Sequence, residues 1–348
     1  MLTGRHDLAS VFIGPMVAQW NALQRLVTEQ RPDALLCDVA FTGAVPLLLS
    51  SQPRPPVTVC GVGPLMLSSP DTPPFGMGWQ PRPGKDYRAM NQVVSGVLFR
   101  DVQARFNEAL RSLGAPRSPA FVTDWPLLAD RVAQLSIPEL EYPRTNLPPS
   151  VSFAGPVLPP RSTLTKTEHP HRRAKTVVHV TQGTWDNADL TELVVPTAHA
   201  LGSRNDVAVV VATGRTGQTT LPMTMPHNAF VTDYARYSEL LPAVDVMVTN
   251  GGFGGVHHAL SLGIPLVVAG AASDKPEVAA RVAYSGAGID LRTSRPTARD
   301  VRDAVDRILT QPSYRRSARR LAREMQRYNA FDHIANTLIA DQDNTRVG

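Results

Sequence analysis

Cysteine is scarce: the 348 residues contain two, Cys37 and Cys60. Both sit in apolar, strand-like runs, 34–37 and 57–60, so they read as buried thiols of a reducing compartment rather than a disulfide framework. Also missing is any apolar run near the ~20 residues that a membrane-spanning helix needs. Residues 1–10 mix Arg5, His6 and Asp7 with apolar neighbours and form no secretory signal. Aromatic residues make up only 6% and do not interleave with basic ones, so a net charge of +5 does not describe a nucleic-acid surface. Much of the positive excess lies in 315–327, where arginines solvate one face of an amphipathic helix. These absences describe a cytoplasmic protein with no nucleic-acid partner, one that touches a membrane at most peripherally.

What is present belongs to a globular α/β protein. A length of 348 residues suits two domains, and 43% hydrophobic against 19% charged residues suits soluble cores. From 176 to 340 the sequence reads as one complete domain. Apolar strands at 177–180, 206–211, 229–231, 245–248 and 265–269 alternate with helices at 189–201, 253–262 and 276–284. Continuous apolar strands of this kind imply a doubly wound parallel sheet buried on both faces. Residues 158–175, rich in proline, charge and hydroxyls, form a linker, and 341–348 form a tail. Residues 1–157 make another α/β domain: a helix at 11–27, strands at 34–37, 57–60, 132–135 and 151–153, and a helix at 93–110. Such a half normally opens on a strand, a ligand-facing loop and a helix. This one opens on a helix, so two or three βα units are expected to be missing from it.

Between a strand and a helix stands Thr249-Asn250-Gly251-Gly252-Phe253-Gly254-Gly255. Four glycines let the backbone approach a ligand, and the helix start offers free N–H groups with partial positive charge, a combination suited to a diphosphate. Glycine needed for packing in a tight turn is the plainer alternative. The dinucleotide fingerprint fails here, because its third glycine position holds His257. A Walker loop fails too, since 214–220 lacks the Lys-Ser/Thr pair. His257 and His258 are adjacent on one helix and point about 100° apart, so no metal site is expected.

The stretch 246–289, with its 250–260 core, Gly263-Ile264-Pro265, Asp274-Lys275 and Gly286-Ala287-Gly288, resembles the donor signature of UDP-glycosyltransferase-like enzymes. It looks most like the bacterial antibiotic and glycolipid glycosyltransferases. Residues 180–184, 233–242, 69–76 and 141–144 carry further likeness, so the resemblance spans nearly the whole chain. It implies a GT-B fold, two Rossmann-like doubly wound domains facing across a cleft, the N-terminal one incomplete. The resemblance also implies roles. Gly183 and Thr184 would face the donor diphosphate from one side, and Asn250, Gly251, Gly252, Gly254 and Gly255 from the helix start. Ala235 would border the nucleobase, His258 the ribose, and Asp274 and Lys275 the donor sugar. Asn250 stands where a histidine is usual, His258 where a glutamate is, and Lys275 where a glutamine is.

The family uses a histidine base from the first strand–helix loop, oriented by an aspartate after a later strand. Asp38 matches that aspartate; a strand-end turn residue is the alternative. No histidine matches the base. The implied activity is inverting transfer of a hexose from a UDP- or TDP-sugar to a hydroxyl of a lipid or secondary-metabolite acceptor, without metal or cofactor. A catalytically impaired nucleotide-sugar-binding remnant is the second expectation, and a GT-B-like sugar-nucleotide epimerase the third. The acceptor-side likeness at 69–76 speaks against an epimerase, which has no acceptor.

Overall fold

The computed structural model describes residues 2–158 and 175–346. The chain divides into two compact units, one comprising Met1–Pro156 with Tyr328–Gly348, the other Val157–Arg327. The linker expected at 158–175 lies, except for its two end residues, outside the described residues.

The first unit holds four parallel strands in chain order: β1 (Leu35–Asp38), β2 (Val57–Gly61), β3 (Arg131–Gln134) and β4 (Val151–Phe153). Helix α1 (Met16–Gln30) and helix α2 (Arg100–Ser112) cover one face. Leu35, Cys37, Val57, Val59 and Val132 pack there with Met16, Leu23, Phe106, Leu110 and Trp125. The fully buried Trp125 ring donates its indole N–H to the Val39 carbonyl at 2.8 Å, so its burial leaves no polar group unpaired. The helix expected at 11–27 is broken at Gly14-Pro15, because proline lacks an N–H and its ring crowds the preceding turn. A single π-helical turn, Leu8–Ile13, precedes the break. Gly43 lets the following turn press against α1, since a side chain there would lie 2.4 Å from Gln19 Cβ.

The second unit is a six-stranded, wholly parallel sheet. Its strands are β5 (Thr176–Thr181), β6 (Val207–Ala212), β7 (Ala229–Thr232), β8 (Val246–Thr249), β9 (Leu266–Val268) and β10 (Gly288–Asp290), ordered β10-β9-β8-β5-β6-β7. Every residue of β6 and β8 is buried, which is why both read as unbroken apolar runs. Helix α3 (Val194–Leu201) packs beneath β5 and β6. It starts later than expected because the Gln182 side chain accepts from Leu193 N and Val194 N, holding 189–193 as a turn. Helices α4 (Phe253–Ser261) and α5 (Lys275–Tyr284) follow β8 and β9. Helix α6 (Ala298–Thr310) opens on a reciprocal cap between Thr297 and Asp300. In α7 (Pro312–Met325) Ala318, Leu321, Ala322 and Met325 are buried, while Arg316, Arg319, Arg320 and Arg323 are exposed.

The last helix, α8 (Ala330–Arg346), departs from the sequence expectation. A second domain running to 340 with a tail after it was expected. Residues from Tyr328 instead group with the first unit, and the helix continues to Arg346. Ala330 and Ile334 pack on Cys60, Ala133 and Ala154, on the sheet face opposite α1 and α2. His333 Nε2 and Ser152 Oγ lie 2.8 Å apart beside them. Apolar spacing marks a helix face but does not say which sheet that face covers.

Candidate functional site

The order of strand addition reverses at β5: β6 and β7 build outward on one side of it, β8 and β9 on the other. Open parallel sheets bind ligands outside the carboxyl ends of their strands at such a switch point. Here the two strand ends are built alike. Thr181 and Thr249 are register partners, and each hydroxyl accepts the N–H of the glycine two residues on, Gly183 at 3.0 Å and Gly251 at 3.2 Å. Both glycines have positive φ, 72° and 90°, which bends each chain off its strand into the loop.

The loops are bolted together. Asn250 Nδ2 donates to the Gln182 carbonyl at 2.6 Å and to the Asp186 carbonyl at 3.3 Å. Asn187 Nδ2 donates to the carbonyls of Gly183, Thr213 and Gly214. Two glycines outside the sequence motif make this approach feasible. A Cβ at Gly214 would lie 2.0 Å from the Gly183 oxygen, and one at Gly270 2.0 Å from the Asn250 oxygen. No sequence pattern marks these two, because their neighbours are remote along the chain.

The glycine cluster divides by task. Gly251 serves the backbone: besides its φ, a Cβ would sit 2.8 Å from Val268 Cγ1. At Gly252 and Gly254 a Cβ would meet nothing within 4 Å, so their smallness leaves open space at the start of α4. No side chain caps that helix, whose first backbone bond runs from Val256 N to Gly252 O. The preceding amides therefore face the opening left by Gly252 and Gly254, an arrangement suited to phosphate oxygens. Gly183 borders it half-buried and Thr184 is exposed.

The other expected residues of the second unit are placed as follows. Ala235 is half-buried, two residues ahead of Tyr237. His258 meets the Tyr237 ring edge to face at 5.5 Å; its Nε2 is buried without a hydrogen bond, and burial holds its pKa below the usual histidine range. On the other side of Tyr237 lies fully buried His179, with Nδ1 2.9 Å from the Val210 carbonyl. Burial pushes the Tyr237 hydroxyl up to about 12. His257 turns elsewhere: its Nδ1 lies 2.9 Å from the Phe253 carbonyl, so the two adjacent histidines do not converge. Asp274 precedes α5, and burial raises its carboxyl above the usual range. Lys275 forms an ion pair with Asp186 at 3.2 Å. Behind them the buried Glu277 and Arg281 pair at 2.7 Å.

In the first unit Asp38 ends β1, where its Oδ1 accepts Ala40 N at 2.7 Å, a turn-forming contact. The two segments that carried the acceptor-side likeness are knitted together. Glu141 accepts Leu65 N at 2.9 Å, Arg144 donates to the Leu65 and Leu67 carbonyls, and Asp71 accepts Thr145 N at 2.6 Å. Asn91 adds bonds to the Ser69 and Thr72 carbonyls. Among the described residues no cluster of three or more His, Cys, Asp or Glu side chains is placed to hold a metal ion. No helix among them is long and apolar enough to cross a membrane.

Residues 199–340 match the family described as erythromycin biosynthesis protein CIII-like, C-terminal domain. UDP-glucosyltransferase A1 of Starmerella bombicola is 34% identical over 97% of this chain and 75% of its own length. The 4'-demethylrebeccamycin synthase of Lentzea aerocolonigenes is 36% identical over 97% of this chain and 79% of its own. Among solved structures, the glycotransferase of kitacinnamycin superposes with a TM-score of 0.78 at 23% identity, covering 96% of this chain and 82% of that one, a likeness of fold. With full-chain identities above 30% added to this switch-point site, the chain belongs to the UDP-glycosyltransferase-like family of GT-B glycosyltransferases.

Proposed function

We propose that the protein moves a hexose from a UDP- or TDP-sugar to a hydroxyl of a secondary-metabolite or lipid acceptor, with inversion at the anomeric carbon. The observation that carries this is the uncapped start of α4, opened by Gly252 and Gly254 at the switch point. On this reading the donor diphosphate lies on the α4 amides and against Gly183 and Thr184. Departure of the nucleoside diphosphate leaves charge on its terminal phosphate, which oriented amides stabilise without rearranging. The nucleobase runs toward Ala235, the ribose toward His258, and the sugar toward Asp274 and Lys275. Attack of the acceptor oxygen on the anomeric carbon breaks its bond to the phosphate oxygen and requires a base for the acceptor proton. Where a histidine supplies that base, Asp38, at the carboxyl end of β1, is the residue to position it. A relative named as a UDP-glucosyltransferase supports the donor class, and one named as a rebeccamycin-type synthase supports a small-molecule acceptor.

Titration calorimetry with UDP and with TDP in the presence of EDTA tests the donor half. Binding of at least one nucleotide at micromolar to millimolar levels is expected, and its absence for both overturns the proposal. Asp38→Asn tests the acceptor half. It should lower turnover by about 10² to 10⁴-fold, as removal of an acid–base contributor does, with nucleotide affinity kept. Full turnover in Asp38→Asn, or a loss of nucleotide affinity instead, would return Asp38 to a turn residue.

A further inference from the structure

Lys275 is nearly enclosed, its side chain 9% exposed, yet its ammonium ends against a carboxylate that is 43% exposed, Asp186. Neither partner is placed by chance. A Cβ at Gly270 would lie 2.9 Å from Lys275 Cβ, and one at Gly251 3.7 Å from it, so the lysine side chain starts against the backbone at Gly251 and Gly270. Asp186 is held from the other loop, because its own carbonyl accepts Asn250 Nδ2 and its neighbour Asn187 is locked by three carbonyls. The ion pair thus bridges the β5 loop and the start of α5, at the edge of the opening before α4.

Charge decides what such a pair welcomes. The facing charged groups are Asp186 and Asp274, both acidic, against the one ammonium of Lys275; Glu277, one turn on, is already paired with Arg281. A neutral sugar suits this arrangement, since the ammonium donates to one hydroxyl while the exposed carboxylate accepts from another. A sugar carboxylate does not. It would meet Asp186 first, and juxtaposed like charges are a strong source of rejection. Had Lys275 stood alone, the same position would attract an anion.

We infer that Asp186 is a specificity-determining residue: by neutralising Lys275 it restricts the donor to uncharged hexoses and excludes uronic acids. This rests on the reading that the donor sugar extends toward 274–275, and it involves a residue that no motif in the sequence marks. Binding, rather than turnover, tests it without an acceptor. Affinities of UDP, UDP-glucose and UDP-glucuronate are measured by calorimetry for the full chain, Asp186→Asn, Asp186→Glu and Lys275→Gln. The wild type should prefer UDP-glucose over UDP-glucuronate. Asp186→Asn should shrink that preference about tenfold or more, through gain of uronate binding, with UDP affinity unchanged. Asp186→Glu should restore it, and Lys275→Gln should enlarge it, because the carboxylate is then unopposed. A preference unmoved by Asp186→Asn while UDP still binds overturns the inference alone. Failure of UDP to bind the wild type overturns the UDP-site reading and the inference with it. If Lys275→Gln shifts the preference in the same direction as Asp186→Asn, charge is not the cause and the inference also falls.

Discussion

His179 and Tyr237 meet edge to face, ring centroids 5.7 Å apart, with the histidine sealed in the sheet between β6 and the tyrosine. Its Nδ1 faces the Val210 carbonyl and its Nε2 has no hydrogen bond. A second proton on that ring would be buried with no acceptor beside it. Burial accordingly holds the His179 pKa at about 4, against 6.5 for a free histidine.

Stability should therefore depend on pH through this residue. Above pH 6.5 the ring is neutral in folded and unfolded chains alike, and its contribution is complete. Between pH 6.5 and about 4 the unfolded chain binds a proton that the folded one refuses, so stability falls as pH falls. The full effect is about 3 kcal/mol. Urea midpoints of wild type and His179→Gln, compared at pH 7.5 and pH 5, should converge toward the acid side. Parallel behaviour of the two proteins would show that His179 does not titrate in this way.

Gly251→Val and Gly254→Val should both abolish UDP binding, but by different routes. The first forces a β-branched residue to positive φ and into Val268, so its melting temperature should drop by several degrees. The second fills open space on a helix where valine is no worse than glycine, so stability should hold while binding weakens at least about 100-fold. Calorimetric titration beside a thermal melt separates the two. Retained binding in Gly254→Val would mean that no ligand approaches there.

Glu277→Ala should destabilise the fold by about 3–5 kcal/mol, because it removes the carboxylate that pairs with Arg281 in a site where both side chains are at most 5% exposed. Replacing the pair together with Gln and Met should cost far less. A double-mutant cycle by denaturant unfolding checks this; additive single losses would count against coupling.

Neither cysteine should react in the native state. Burial pushes Cys37 and Cys60 to about 11, so roughly one thiol in a thousand is ionised at pH 8. They also occupy opposite sheet faces, Cys37 packed with Leu35 and Cys60 with Ala133. Thiol titration should read none without urea and two with it.

The sequence announced those features that local chemistry dictates. β-branched runs such as 207–211 named the buried parallel strands, and the strand–glycine–helix spacing at 246–262 named the turn between β8 and α4. It could not announce Gly214, Gly270 or Asp186, whose significance comes from backbone or charge lying next to them only after folding. Nor did it reveal that Asn250 spends its amide on Gln182 and Asp186, which makes it a brace between loops. The π-helical turns at 8–13 and 94–98 were likewise hidden, because apolar spacing does not register one inserted residue.

The return of α8 to the first sheet has a consequence for how the protein is made. A ribosome completes residues 157–327 as one continuous stretch, whereas the first unit waits for the last helix to be synthesised. Until then Cys60, Ala133 and Ala154 lack their cover. The part begun first is finished last, and during that interval its bare sheet face depends on chaperones or on speed to avoid sticking to others of its kind.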